Sequence, residues 1–237
     1  MHLGSESCNY KKIENIIRYI ENEPSARVVL LGDLFESAII NSKGDPYKSK
    51  SLDEEVSLAI SLLEPIRDKI IGIVSGNHSR RISRAVGLDV LYNLSRELGL
   101  EDKYSPDFLV LKVSLPKTAW YVALHHGVGD GRLKGSKINN LHRMGNVFPN
   151  ADIILMGHTH DFIMTVDKKY IIDKKHESVR VHKTYYINIP SLAMEYEGYA
   201  SAYAYQPAIT GTIEIYLPNI PNRVKGNHTL EVRHIFT

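Results

Sequence analysis

The chain has 237 residues, 43% of them hydrophobic, with 29 Lys+Arg against 27 Asp+Glu and a single cysteine. That length suits one large domain with a sizeable core, and a net charge of +2 creates no strong field toward nucleic acid or anionic lipid. Cys8, standing alone, can form neither an internal disulfide nor a thiolate zinc site.

A reducing, cytoplasmic setting is the expectation from this cysteine usage. No apolar run reaches the ~18–20 residues needed to span a bilayer. Met1–Ser7 lacks the basic and apolar regions of a signal peptide, so no membrane partner is expected. In chain order, residues 11–22 place Ile13, Ile16, Ile17 and Ile20 at helical spacing. Arg27–Leu31 is a short apolar run that stops at Gly32-Asp33, as a buried strand would. Residues 52–66 read as a second helix with Val56, Ile60, Leu62 and Leu63 on its apolar side. Ile70–Val74 is the next buried strand, ending at Ser75-Gly76-Asn77, and one helix is expected from there through about residue 98.

Leu109–Val113 and Trp120–Leu124 read as neighbouring strands joined by the Leu115-Pro116-Lys117 turn. A Gly-rich stretch, Gly127–Gly131, leads through Lys134-Gly135 into a helix at about 137–147. Ala151–Met156 is another buried strand, ending in Gly157-His158-Thr159-His160. Three alternating runs follow, Phe162–Val166, Thr184–Ile189 and Ile209–Tyr216, and predict a second, mostly antiparallel sheet. Residues 43–51 and 218–227 read as exposed loops. No repeat or linker stands out, so residues 1–237 are expected to form a single α/β domain.

Each residue able to bind a metal falls just after an apolar run: Asp33, Asn77, His125 or His126, His158 and His160. In layered α/β folds the carboxyl ends of strands share a rim, so residues distant in sequence meet there. Oxygen and imidazole donors without thiolates suit Mn²⁺, Fe or Zn²⁺. Two such ions about 3.5–4 Å apart can hold a phosphate oxygen and activate a water for in-line attack. An Asp is a good bridge between them because its two oxygens can satisfy two cations.

The ordered series Gly32-Asp33-Leu34-Phe35-Glu36, Gly76-Asn77-His78, His125-His126-Gly127 and Gly157-His158-Thr159-His160 resembles the calcineurin-like metallophosphoesterases, toward their phage and DNA-repair members. The resemblance runs from the N-terminus to about residue 160 and implies a β-sandwich of two mixed sheets flanked by helices. It also implies a dinuclear centre. Asp33 would bridge both metals, Asn77, His158 and one of His125/His126 would hold the second, and His160 the first. Alignment on the strand end favours His125; alignment on the following Gly favours His126, the pattern of phage-type members. His78 would act as general acid or stabilise developing charge, and Arg80 and Arg81 would hold phosphate oxygens. Backbone N–H groups of the Gly127–Gly131 loop could do likewise. The implied substrate is a phosphate ester, with a nucleotide or DNA favoured by Arg132, Lys134, Lys137 and Arg143 beside the site.

The pattern departs from the family in two places. The family opens with Asp-x-His at the end of its first strand; His2 stands where that His would be, so the Asp and the strand would precede Met1 and the chain is expected to be an N-terminal fragment. Ser79 replaces the acid that usually follows Gly-Asn-His. A non-catalytic binding scaffold on the same fold, as in a retromer subunit, is the alternative that the first departure keeps open. Taken singly, Asp33 could be a turn residue and Asn77 a helix cap. His142, His176, His182, His228 and His234 have no such context and read as surface or satisfied histidines. The Tyr-rich stretch from Tyr185 to Tyr205 reads as strand packing rather than as a base-stacking platform.

Overall fold

The computed structural model describes residues 1–40, 42, 45–129, 131, 133–173, 176–193, 209–221 and 228–236. Asp130, Arg132, Tyr196, Tyr199, Tyr203 and Tyr205 lie outside the described residues, as do parts of both expected loops.

The isoleucine spacing of residues 11–22 becomes helix α1 (Tyr10–Asn22), started by Asn9, whose side chain accepts the Lys12 N–H. Its Ile13, Ile16 and Ile17 are buried. Strand β1 (Val28–Leu31) follows, then α2 (Leu52–Leu63), whose start is a capping box between Ser51 and Glu54. Pro65 cannot continue that helix, and the chain tightens into a 3-10 turn over Glu64–Lys69. Strand β2 (Ile70–Val74) pairs with β1 in parallel, and β3 (Tyr104–Ser105) with β2 in parallel. The single helix expected up to residue 98 is two, α3 (Asn77–Val86) and α4 (Val90–Glu97). Gly87, at φ +73°, ends the first, and Asp89 caps the second by accepting the Tyr92 N–H.

Strands β4 (Phe108–Leu115) and β5 (Thr118–His125) form the expected hairpin. Helix α5 (Lys134–Val147) starts earlier than its apolar pattern, and β6 (Ile153–Met156) then pairs in parallel with β5. Strands β7 (Ile163–Asp173) and β8 (Ser178–Asn188) are antiparallel to each other but do not form a separate sheet. β8 pairs in parallel with β6, so one mixed sheet runs β4-β5-β6-β8-β7. Only β9 (Thr212–Tyr216) stands apart, paired antiparallel with β10 (Glu231–Ile235), a strand that sequence periodicity did not suggest. Strand direction is a property of the partner, and alternation within one run does not report it.

Three apolar clusters define the layers. Helices α1, α2 and α4 cover the outer face of the wholly parallel sheet β1-β2-β3, burying Ile13, Leu63 and Leu91 with Ile70 and Ile73. Leu31 and Val74 of that sheet meet Trp120, Leu124, Leu155 and Ile187 of the mixed sheet between the two layers. On the far side, Leu141 and Met144 of α5 cover Ala123, Ile154 and Tyr186. The result is a helix–sheet–sheet–helix sandwich, the expected α/β class with sheets flanked by helices. Among the described residues no helix is long and apolar enough to cross a membrane. Cys8 is buried as a free thiol. Tyr185 and Tyr186 are packed in the strands, each 1% exposed.

Leu124 is fully buried between the sheets. Leu124→Ala is expected to lower the unfolding free energy by roughly 2–5 kcal/mol, read from urea denaturation. A loss well below that range would mean the two sheets do not share a packed core.

Candidate metal centre

Strands β1, β2, β5 and β6 all end toward one place. β1 stops at Gly32-Asp33, β2 at Gly76-Asn77, β5 at His125-His126 and β6 at Gly157-His158. The Gly157 N–H donates to the His126 carbonyl (2.8 Å), tying two of these ends together. Close approach is needed at Gly76, where a Cβ would lie 2.2 Å from Asp33 Oδ1. That contact lets the Asp33 carboxylate reach the start of α3, where Oδ1 accepts the His78 N–H (3.1 Å). Asp33 thus caps α3 from another strand end, and the positive end of the helix faces the carboxylate. Asn77 is not the cap: Gly76 takes that position and the Asn77 side chain points to the centre.

Three groups of donors could hold a metal among the described residues; two share Asp33, and the third is His2, Glu36 and His78. His2, Asp33 and His160 have ligand atoms within 4.8 Å of one another, and so do Asp33, His126 and His158. In the second group His126 Nδ1 bonds the Leu31 carbonyl (2.7 Å), which fixes the proton there in the neutral ring. Its Nε2 is then a bare lone pair, 3.2 Å from Asp33 Oδ2 and 2.9 Å from Asn77 Oδ1. His158 repeats the pattern: Nε2 bonds the Gly129 carbonyl (2.9 Å), leaving Nδ1 3.0 Å from Asn77 Oδ1 and 3.2 Å from His126 Nε2. Four lone pairs converge with no proton among them, a donor set that fits a divalent cation. In the first group His2 Nδ1 bonds Glu36 Oε2 (3.1 Å), and its Nε2 faces His160 Nε2 at 3.1 Å. A carboxylate behind an imidazole is the arrangement that orients metal-bound histidines.

Backbone strain collects at the same residues. His2, Asp33, His158 and His160 have φ of +56°, +46°, +67° and +50°. Left-handed conformations of this kind cost on the order of 1–3 kcal/mol each in a non-glycine residue, and they aim the four side chains inward. Burial, and then the charge of His78, holds His2 well below the usual imidazole range; burial and then His2 do the same to His160. Burial would raise Asp33, but the imidazoles around it, His126 first, hold it well below the carboxylate range.

His78 is buried, with Nδ1 on the Glu36 carbonyl (2.7 Å) and Nε2 4.0 Å from Asp33 Oδ2. Its ring lies edge-on to His2 at 4.6 Å. His125 takes a different position from His126: its Nδ1 accepts the Gly127 N–H (2.8 Å), and it belongs to neither donor group. Arg80 is engaged with the Pro106 carbonyl and Asp107, and Arg81 with the carbonyls of Glu36 and Ser37. Neither guanidinium joins the converging donors. The Gly-rich loop meets the centre through the Gly129 carbonyl. Lys134 and Lys137 of α5 lie 4.0 and 3.3 Å from Asp161, next to His160. Ser79 is buried, its hydroxyl without a hydrogen-bond partner among the described residues. Of the histidines read as uninvolved, His142 stacks on Tyr186, His176 pairs with Asp173, and His182 and His234 bond backbone carbonyls.

Two buried carboxylates near the centre, one of them behind the imidazoles, escaped sequence reasoning. Glu36 contacts both His2 and His78, at 3.1 and 3.6 Å, and burial pushes its carboxyl up. Its place in the Gly-Asp-x-x-Glu series was the available signal. Glu55 sits in α2 among charged neighbours, yet it is 0% exposed and both its oxygens accept the Ser37 N–H (3.2 and 3.0 Å). No local pattern marks it.

No family model matches the chain, and no curated protein does. Among solved structures, vacuolar protein sorting 29 from Cryptosporidium parvum is similar at 12% sequence identity, over 78% of this chain and 91% of that one, with a TM-score of 0.33. So loose a likeness carries nothing over to this centre, whose chemistry follows from the side chains themselves.

Two outcomes are expected. Gly76→Ala forces a methyl into Asp33 and should weaken Mn²⁺ binding at least tenfold by calorimetry while circular dichroism stays unchanged; parental affinity would contradict the close approach. Burial pushes Glu55 up to about 8 from 4.5. The folded state therefore keeps a proton that the unfolded chain loses above about 4.5, and the stability tied to it drains away as pH rises toward 8. His2 and His160 act with the opposite sign below 6.5, so the difference between parent and variant is the useful quantity. Glu55→Gln, which does not titrate, should gain stability relative to the parent between pH 5 and 8; a constant difference would contradict the shift.

Proposed function

We propose that this chain is a metal-dependent phosphoesterase, hydrolysing phosphomonoester or phosphodiester bonds at a dinuclear centre built on Asp33. The observation that carries this reading is the pair of donor groups sharing the Asp33 carboxylate. His2, Asp33 and His160 would hold one cation, and Asp33, Asn77, His126 and His158 the other. With oxygen and nitrogen donors the ions would be Mn²⁺, with Fe or Zn²⁺ as alternatives. Bound there, two divalent ions would neutralise charge on the phosphoryl oxygens and supply an acidified water.

The chain's own residues do the rest. His78 is anchored through Nδ1, so its Nε2 is the atom left to face a departing oxygen, to which the imidazolium form would hand the Nε2 proton. Glu36 keeps His2 and His78 in fixed rotamers from behind. The α3 N-terminus, already aimed at Asp33, adds positive potential where a phosphate would sit. Support for a nucleotide or nucleic-acid substrate comes from the basic residues of α5, Lys134, Lys137 and Arg143.

Hydrolysis of bis(p-nitrophenyl) phosphate with Mn²⁺ and with chelator tests the reading: turnover should require the metal. His78→Ala should lower turnover by roughly 10²–10⁴-fold with metal content intact, whereas Asp33→Ala should lose metal and turnover together. Equal metal loss in the two variants would overturn the division of roles, and Mn²⁺ binding without turnover on any phosphate ester would leave a metal-loaded scaffold instead. A nucleic-acid substrate further requires that DNA affinity fall steeply between about 50 and 200 mM salt. A flat salt response alongside full activity on the small diester would rule that substrate out.

A further inference from the structure

β6 pairs with β8 only over Tyr185–Asn188, so beyond Tyr185 the β7–β8 hairpin is a two-stranded ribbon among the described residues. Its outer part, the six cross-strand pairs from Lys168 opposite Lys183 to Asp173 opposite Ser178, is about 20 Å long at ~3.4 Å per residue. On one face Tyr170 lies opposite Val181 and Ile172 opposite Val179. Strand alternation puts these four on the same face as Met164, Tyr185 and Ile187, which pack between the sheets. At the outer end that face meets solvent instead: Tyr170, Ile172, Val179 and Val181 are 82%, 73%, 65% and 46% exposed. A contiguous apolar patch of this kind marks an interaction surface.

Charge selects the partner. Residues 167–183 carry Lys168, Lys169, Lys174, Lys175, Arg180 and Lys183 against Asp167, Asp173 and Glu177, a net +3 in a chain whose total is +2. The rest of the chain therefore sums to −1. Arg180 is paired with Asp173, but Lys169 and Lys183 are held by neutral acceptors, the Tyr186 hydroxyl (3.3 Å) and the His228 carbonyl (2.7 Å), which leave their charge uncancelled. Such a ribbon repels a second copy of itself and attracts a polyanion. DNA's major groove admits a two-stranded β-ribbon and offers thymine methyls to apolar side chains. Reach is compatible as well. β7 begins at Ile163, three residues beyond His160, and is the edge strand of the mixed sheet. Tyr170 lies about 24 Å further along it, less than one ~34 Å turn of duplex.

We propose that the outer β7–β8 ribbon is a docking arm for duplex DNA, which seats Tyr170, Ile172, Val179 and Val181 in the major groove while Lys168 and its basic neighbours meet the flanking phosphates. The choice of DNA among polyanions rests on the phosphoesterase reading, whereas the docking itself needs neither a metal at Asp33 nor cleavage.

Fluorescence anisotropy of a labelled duplex of about two helical turns, with chelator present so that nothing is cut, reads the docking directly. Lys168→Ala should lower the slope of log affinity against log salt by about 1, and Lys168→Arg should restore it. Tyr170→Ala with Ile172→Ala should weaken binding about tenfold or more while keeping the slope. Should that double variant lose its circular dichroism, Tyr170→Ser alone carries the same expectation. Mn²⁺-dependent hydrolysis of bis(p-nitrophenyl) phosphate should be unchanged in every arm variant, because none of these residues joins the converging donors. A parent that binds DNA through the arm but never turns over the small diester would end the phosphoesterase reading and leave the arm in place. Parental DNA affinity in both Lys168→Ala and the double variant would overturn the proposal. So would arm-dependent binding to phosphatidylserine vesicles that is tighter than to duplex, or arm-dependent dimerisation in sedimentation, which would give this face to a membrane or to a second copy.

Discussion

Asp33 is where the two sheets of this molecule are forced to agree. Its carboxylate lies against the backbone at Gly76, accepts an amide of α3 and stands 3.2 Å from the His126 ring. Two of those contacts lie just after β2 and the third just after β5, while Asp33 itself follows β1. A shift of either sheet relative to the other would break at least one of them. A buried carboxylate is tolerated only where such partners surround it, so the site and the packing of the sandwich are one constraint.

The surrounding imidazoles add a second tension. Lone pairs of His126, His158, Asn77 and Asp33 converge because each ring has its other nitrogen committed to a backbone carbonyl. Such a set is costly without a cation and favourable with one. Asp33 and His158 of that set, and His2 and His160 beside it, also hold left-handed backbone angles, strain that surrounding structure must maintain. Part of that maintenance is visible in Glu36 and Glu55, buried carboxylates that fix the rotamers of His2 and His78 and the turn at Ser37. Arg81 grips the same turn from α3 through the Glu36 and Ser37 carbonyls. Stability is held in reserve around a centre that taken alone is unfavourable, the usual relation between a functional site and its scaffold.

The layering explains why the centre sits at a rim. Helices cover the outer faces of both sheets, and side chains of the two inner faces fill the space between them. Donors can emerge only at the strand ends, where the chain leaves the packed layers. The edge of β1 that carries no partner strand among the described residues, and the cavity beside it, reach the same rim through Met1 and His2. Packing along that edge and geometry at the centre are therefore mechanically joined.

Much of this was legible in the amino-acid order. Apolar runs located β1, β2, β5 and β6, and the Gly-Asp, Gly-Asn-His and Gly-His-Thr-His phrases marked where each run stops. Those signals are local: a run is buried or it is not, and a glycine permits a close approach or it does not. Pairing is another matter. The alternation of β7 and β8 was plain, but not that β8 would lie beside β6 and merge the sheets. His125 and His126 are adjacent in sequence, and the carbonyl of Leu31, 95 residues away, turns one of them into the centre. Arg80 carries the right chemistry for phosphate, yet Asp107 lies within its reach first. Glu55 shares a helix with acids that face solvent, and its burial depends on Gly4 and Ser37 coming to it. By itself the sequence determined which residues bear lone pairs and at which strand ends they emerge. Only the tertiary structure decided which of them converge, because convergence is a property of contacts between segments that no local pattern encodes.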